Sequence, residues 1–418
     1  MIETVTIESC AGGRGHGVAH ARGLTLFVPG TMAGDVVELE LPASPGRRRW
    51  TILTASRLVQ PSPHRVKPAC VHACDDPALV AVACGGCPWM NQHLDSQRAQ
   101  KLGIVARAFS TAKRPVQTPS NLAFFDVAEG SRCRARMNAS DGRMGFFAQA
   151  SHRIVDVSSC PMLRRPGLHN RLRPFIGPRT EAELRLLFGA DDRVHLSVNA
   201  PLAGDFNRLR EAIPNLAGVR IAGVGEGQDG IPVDTPGFGP ITVSSDGFFQ
   251  AGPLANELIL RELDRCMRSL PDPGPVLECY AGSGNLSRVL RRHADVLAVE
   301  SDPGSACFFE RNLQDHPGPG RATLLQMSVG EAILGGKIAT SPRTIVLDPP
   351  REGIEARVNA GLLGLDPRTV LLISCDPMNG ARDASVWLGA GYERWEMIVL
   401  DTMPNTQHFE IIQLLEKP

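Results

Sequence analysis

The sequence predicts an α/β protein in three parts. They are a small, OB-like β-barrel over residues 1–60, a mixed α+β centre over 61–240 and a Rossmann-like parallel α/β unit over 241–418. Three observations predict this. Residues 1–60 hold short β-branched runs separated by glycine-rich turns, the pattern of a small barrel. Pro61, Pro63 and Pro68 then break that pattern ahead of a cysteine-rich stretch. From about residue 244 strand and helix patterns alternate, which implies parallel strands joined by crossover helices.

Barrels of this size bind oligonucleotides or serve as neutral scaffolds, and the pattern leaves both open. Residues 91–112 (NQHLDSQRAQKLGIVARAFSTA) read as one amphipathic helix, able to pack on the C-terminal unit. Within 131–160, RCRARMNAS and RMGFFAQ flank Asp141-Gly142, a dipeptide that favours a two-residue hairpin turn. Residues 161–240 carry no clear pattern.

Lys+Arg and Asp+Glu number 44 each, so the formal net charge is zero. A globally basic coat for nucleic acid is excluded, while local basic patches are not. The chain has no apolar run of membrane-spanning length, and MIETVTIESC lacks the basic-then-apolar order of a secretory leader. A soluble, cytoplasmic protein is expected. In that compartment the 11 cysteines point away from disulfides and toward metal or thiolate chemistry. Cys70, Cys74, Cys84 and Cys87 are the densest group.

The most readable stretch is PVLECYAGSGNLSRVLRRHADVLAVESD. It reads as strand, glycine-rich turn, helix and second strand. Ligands of open α/β sheets sit at such a turn. Gly282 and Gly284 let a ligand approach the backbone, and Glu300 ends the second strand where ribose hydroxyls need acceptors. A third glycine is missing, because Ser287 takes its place. That disfavours a pyrophosphate and favours a nucleoside-type ligand such as S-adenosylmethionine.

Three later strands end in reactive groups. They are Asp348 in LDPPREG, Cys375 in ISCDP, and Asp401, Thr406, His408 and Glu410 in LDTMPNTQHFE. Read singly, Cys375 suits a buried apolar thiol and Glu410 a solvated strand position. Together they form a chemically complete nucleophile and base beside the glycine turn.

The order of these segments resembles the S-adenosylmethionine-dependent RNA 5-methyluridine methyltransferases, nearly end to end. Residues 2–57 look like that family's TRAM barrel, and Cys84-Gly-Gly-Cys87 with Cys160-Pro161 looks like its 4Fe-4S ligand set. SSDGFFQAGPLANEL, ECYAGSGN, LDPPREG, SCDP and DTMPNTQHFE complete the series. The resemblance implies Cys375 as nucleophile and Glu410 as general base. It places Gln250, Tyr280, Asn285, Glu300, Ser328 and Asp348 at the cofactor or the base, Ser328 by position alone. It implies two cofactors, S-adenosylmethionine and a 4Fe-4S cluster. The implied substrate is an RNA uridine, in 23S rRNA ahead of the tRNA T-loop. No membrane and no obligate protein partner are implied, and a monomer is expected.

One departure is the spacing before CGGC. Cys70 follows Pro68-Ala69 as the family's first ligand follows a proline, so Cys70 is preferred and Cys74 is the alternative. A tetrahedral zinc site on the same ligands is the rival to the cluster. A radical cluster motif is absent, since no cysteine stands at position 77. Phe248 or Phe249 could stack a flipped base. Arg132, Arg134 and Arg136, with Arg47–Arg49, could contact phosphates. The residues leave open what lowers the pKa of Cys375, Arg351 being one candidate. The rival class is an RNA-binding iron–sulfur protein without catalysis. A cytosine or small-molecule substrate ranks last, because Asp348 stands where cytosine enzymes carry a second cysteine.

Overall fold

The computed structural model describes residues 1–42, 48–110, 121–124, 130–149, 151–339 and 341–418. Arg47 and residues 111–112 of the expected helix lie outside them.

The N-terminal strands are β1 (Ile2–Thr6), β2 (Ser9–Cys10), β3 (Gly17–Ala21), β4 (Leu24–Val28), β5 (Val36–Glu40), β6 (Trp50–Ile52) and β7 (Ala55–Gln60). They form two sheets, ordered β1-β5-β7 and β2-β3-β4-β6. Alternation in LTLFV turns Leu24, Leu26 and Val28 inward, where they meet Val5, Ile7, Val37 and Leu39. Asp35 leaves this unit as a buried carboxylate, paired at 2.5 Å with Arg65 and accepting from the Ser62 N–H.

Helix α1 spans Leu94–Ser110. It is less simply amphipathic than its sequence suggests, because its buried face carries Gln97 and Lys101 beside Ile104, Val105, Ala108 and Phe109. That face packs on Trp89, Ala381, Met397, Val399, Phe409 and Ile411.

A short strand, β8 (Asn121–Phe124), comes next, and then the central sheet. The central strands are β9 (Arg134–Ser140), β10 (Arg143–Phe147), β11 (Ile154–Asp156), β12 (Ala182–Phe188), β13 (Val194–Val198), β14 (Leu216–Ile221) and β15 (Val224–Gly227). Their order is β11-β10-β9-β12-β13-β14-β15, and helix α2 (Phe206–Ala212) links β13 to its parallel neighbour β14. Asp141 and Gly142 close the β9–β10 hairpin with φ of 53° and 73°, the left-handed pair that such a turn requires. A separate ribbon joins β16 (Ile231–Thr235) to β17 (Gly239–Val243).

Helix α3 (Pro253–Ser269) opens the last unit. Five strands follow with their crossover helices: β18 (Val276–Cys279), β19 (Val296–Glu300), β20 (Ala322–Gln326), β21 (Thr344–Leu347) and β22 (Thr369–Ser374). The helices between them are α4 (Ser287–Leu290), α5 (Pro303–Ala306), α6 (Phe309–Gln314), α7 (Val329–Leu334) and α8 (Ala356–Leu363). Then come α9 (Pro377–Gly389), β23 (Glu393–Asp401) and β24 (Glu410–Glu416). The sheet runs β20-β19-β18-β21-β22-β24-β23-β8, so its far edge comes from the middle third of the chain. Strands β18, β21 and β22 are buried along their whole length, as strands covered on both faces must be. Only β24 runs antiparallel to its neighbours. Its first residue therefore starts at the sheet edge where β18, β21 and β22 end.

Candidate active site

Register brings Cys375 and Glu410 together. Ser374 pairs with Ile411, so the next residue beyond each, Cys375 on one strand and Glu410 on the other, meet across the same rung. Burial pushes the Cys375 thiol up to about 12, the charges of Glu410 and Asp348 add to that, and Arg351 opposes it by charge and by a hydrogen bond. Glu410 is held well above the usual carboxylate range, by burial first and then by Asp348, again against Arg351. Asp348, at the end of β21, is raised to about 7 by burial. Arg351 is therefore the cation shared by the thiol and the carboxylate. It also contacts both ring nitrogens of His408, whose pKa falls to about 3 through burial and the neighbouring cations. His408 is neutral at physiological pH and can accept a hydrogen bond from Arg351.

A crevice opens at the end of β18. Phe248, Gln250, Tyr280, Gly282, Asn285 and Asp348 line it. Tyr280 has φ of 67°, a left-handed value that costs a tyrosine energy and concentrates at functional turns. Gly282 (φ 57°) has open space where a Cβ would stand, so it leaves room for a ligand. Gly284 differs, because its Cβ would press on the Phe309 ring at 3.2 Å, and its smallness serves packing. Glu300 accepts from the N–H groups of Gly282 (2.8 Å) and Asp302 (2.7 Å), one on each oxygen. Each oxygen keeps a second lone pair. Asn285 lines the crevice, but its amide is bound to Asn256 and to Arg288. The crevice fits a nucleoside-type ligand: a strained strand-to-helix turn, an open glycine and an acid on the next strand.

Gly284 and Glu300 lie outside the crevice lining, and so does Ser328. It caps α7, its hydroxyl accepting from the Glu331 N–H while Glu331 accepts from the Ser328 N–H. The sequence carried this signal as S-x-x-E, a capping box.

The cysteines divide. Cys70, Cys84, Cys87 and Cys160 line one cavity of about 240 Å³. Cys74 does not line it: its thiol donates to the Asp76 carbonyl at 3.3 Å and lies under Gly30. The segment between Cys70 and Cys84 loops out through a turn at Pro77–Leu79 that Asp76 caps. It closes where the Cys84 N–H meets the His72 carbonyl at 2.7 Å. Burial raises Cys84 to about 12 and moves Cys87 and Cys160 upward, and Arg132 pulls the last two down. Among the described residues no three His, Cys, Asp or Glu side chains are placed to hold a single metal ion. The thiols surround a volume instead of meeting at a point, and that donor set fits a thiolate-bound group larger than one ion.

The expected RNA contacts are redistributed. Phe248 is 67% exposed at the crevice, whereas Phe249 is core. Arg134 donates to the Phe249 and Ser245 carbonyls, Arg136 pairs with Glu183, and Arg132 faces the thiols, so this hairpin is not a free phosphate strip. A wider cleft of about 480 Å³ was not legible from sequence. Arg14, His16, Phe147, His152, Arg351 and His408 line it, drawn from segments far apart in the chain. No helix among the described residues is long and apolar enough to cross a membrane.

A Rossmann-type sheet, a crevice at the end of β18 and a thiol–carboxylate pair close by suit a methyltransferase. Comparisons narrow the class. No family model matches the chain. A 23S rRNA (uracil(1939)-C(5))-methyltransferase RlmD of Halomonas elongata is 31% identical over 451 residues, covering 97% of this chain and 87% of its own. The corresponding protein of Pseudomonas entomophila is 29% identical over 99% of this chain and 93% of its own. The chain belongs to the RNA uracil-C5 methyltransferase family. Among solved structures, the tRNA (uracil-54, C5)-methyltransferase of Pyrococcus abyssi in complex with S-adenosyl-L-homocysteine superposes with a TM-score of 0.75 at 20% identity. The match covers 99% of this chain and all of that one, a likeness of fold.

Proposed function

We propose that this enzyme methylates carbon 5 of a uridine in 23S rRNA through a covalent bond from Cys375 to the base. The carrying observation is the register that sets Cys375 against Glu410, both within reach of the charge of Asp348, which lines the crevice. Relatives named for 23S rRNA match over nearly the whole chain, which favours that RNA over tRNA. A wide cleft leads to Arg351 and His408, with unpartnered His16 Nε2 and Gln407 Oε1 on its walls. Such groups suit a polar ligand such as a looped-out RNA strand, with exposed Phe248 as a stacking ring. In this reading residues 1–60 are a TRAM-like barrel, 61–240 the cysteine-bearing centre and 241–418 the methyltransferase unit. One chain supplies every site residue, so a monomer suffices, and an rRNA substrate places its work in the cytoplasm.

Carbon 5 of uracil is a poor nucleophile. Cys375 Sγ adds to carbon 6, and the electron pair of the ring double bond moves onto carbon 5 and the O4 enolate. The thiol proton passes to solvent as Sγ adds, and Arg351 offsets the charge of the thiolate. S-adenosylmethionine, when bound, supplies the electrophilic methyl group, and Gln250, Tyr280, Glu300 and Asp348 would hold it. Glu410 then removes the carbon 5 proton, the C6–S bond breaks, and Cys375 leaves as thiolate. The test is a map of 5-methyluridine in a deletion strain. We expect loss at one 23S rRNA position, and loss in the tRNA T-loop instead would overturn the substrate.

Cys70, Cys84, Cys87 and Cys160 would hold a 4Fe-4S cluster, which would brace the loop against the hairpin end. Anaerobically purified protein should contain roughly four irons per chain. Cys70→Ser should lose them and Cys74→Ser should keep them. One zinc per chain would favour the tetrahedral alternative.

A further inference from the structure

The loop between β23 and β24 carries His408 and ends on Glu410, yet it is held from outside the methyltransferase sheet. Gln97 of α1 grips Asn405 twice, Nε2 donating to Asn405 Oδ1 (3.1 Å) and Oε1 accepting from the Asn405 N–H (2.7 Å). The same Nε2 also reaches the Trp89 and Gln92 carbonyls at 3.0 Å each. The Trp89 N–H donates to the Asn405 carbonyl at 3.0 Å, two residues beyond Cys87. One turn further along α1, Lys101 pairs with Asp401 at 2.5 Å and reaches the Met403 carbonyl at 3.3 Å. Gln97, Lys101 and Asp401 are all buried. Asn405 sits at φ of 64°, a conformation that persists only where its surroundings impose it.

A helix does not bury an amide and an ammonium without return. Burial of unpaired polar groups is costly, so these side chains are tolerated because the loop satisfies them. The loop in turn has its left-handed residue fixed on three sides. Thr406 completes the frame, its hydroxyl donating to the Met403 carbonyl and accepting from the His408 N–H.

We propose that Gln97 and Lys101 are positioning residues for the proton-removal step, holding the 401–410 loop so that the Glu410 carboxylate faces the carbon 5 proton of the adduct. Trp89 makes the CGGC turn part of the same clamp, so order around the cysteine cavity reaches the base through Asn405. The inference rests on the reading of Glu410 as base.

The experiment uses the full-length chain with an ordinary uridine RNA fragment of 23S rRNA. Gln97→Leu should lower kcat by on the order of 10- to 100-fold, the loss typical of a slightly misplaced group. Its affinity for S-adenosylmethionine should be unchanged, and a denaturation-stable protein–RNA adduct should accumulate that the wild type does not show. Val105→Ala, a core truncation one turn beyond Lys101 on the same helix face, should lower thermal stability without trapping any adduct. If Gln97→Leu fails to fold, Asn405→Gly reads the same contact from the loop side, since glycine keeps the left-handed backbone. The proposal is overturned if Gln97→Leu turns over at the wild-type rate, or if it slows without accumulating adduct. Failure of the underlying reading looks different: Glu410→Gln itself would then trap nothing.

Discussion

Cys375→Ala should abolish methyl transfer to RNA and the covalent adduct with 5-fluorouridine RNA, while leaving the fold and S-adenosylmethionine binding in place. The expected loss is roughly 10⁴-fold or more, the scale on which removal of a catalytic nucleophile is felt. The size follows from chemistry. Without a carbon 6 adduct, carbon 5 lacks the electron density to accept a methyl group. The fold should survive because the side chain is only half-buried and the substitution removes a single sulfur atom. The pH dependence has a definite sign. The free thiol is pushed up to about 12, so the thiolate is scarce at neutral pH. The rate of adduct formation with 5-fluorouridine RNA should therefore rise as pH rises from neutrality. Methylation by Cys375→Ala at the wild-type rate would remove the thiol from the mechanism.

The parts legible in the sequence are those fixed by short-range chemistry. Gly282, Asp348 and Cys375 stand out in the sequence because each lies where an apolar run meets a glycine turn or a proline break, whereas Tyr280 enters through resemblance. Glu410 taken alone reads as a solvated strand residue, and only its combination with Cys375 and the glycine turn marks it out. Its pairing with Cys375 depends on β24 running antiparallel, a register set between strands 35 residues apart in sequence. Edge strand β8 pairs with β23 across more than 270 residues and has no local mark. Gln97 and Lys101 were hidden for the opposite reason: a polar residue on a helix reads as solvated until the partner that buries it is known. Cys70 and Cys74 could not be separated by spacing, because the loop between the cysteines closes through a turn capped by Asp76. Ser328 follows its strand by position alone, and its own S-x-x-E pattern announces the helix cap that the structure shows.

Glu410→Gln should convert the enzyme into a trap, transferring about one methyl group per chain and remaining covalently attached to ordinary uridine RNA. Elimination requires loss of the carbon 5 proton before the C6–S bond can break, and an amide cannot take that proton. Turnover should fall by roughly 10²- to 10⁴-fold, the usual contribution of a positioned base. Unfolding is not the cause to expect. The Glu410 carboxyl is held well above its usual range because burial disfavours its charge, so a neutral amide of the same shape relieves that cost. Thermal stability at neutral pH should be equal or higher in Glu410→Gln. The raised pKa also fixes a sign for the wild type. Glu410 must be ionised to act, so elimination slows as pH falls through that raised value, and adduct should build up on the acid side. In Glu410→Gln the amount of trapped adduct should lose this dependence. Free methylated RNA at normal yield from the variant would assign the proton to another acceptor. A carboxylate available for that role is Asp348, raised to about 7 at the end of β21 and close enough to act on Glu410 by charge.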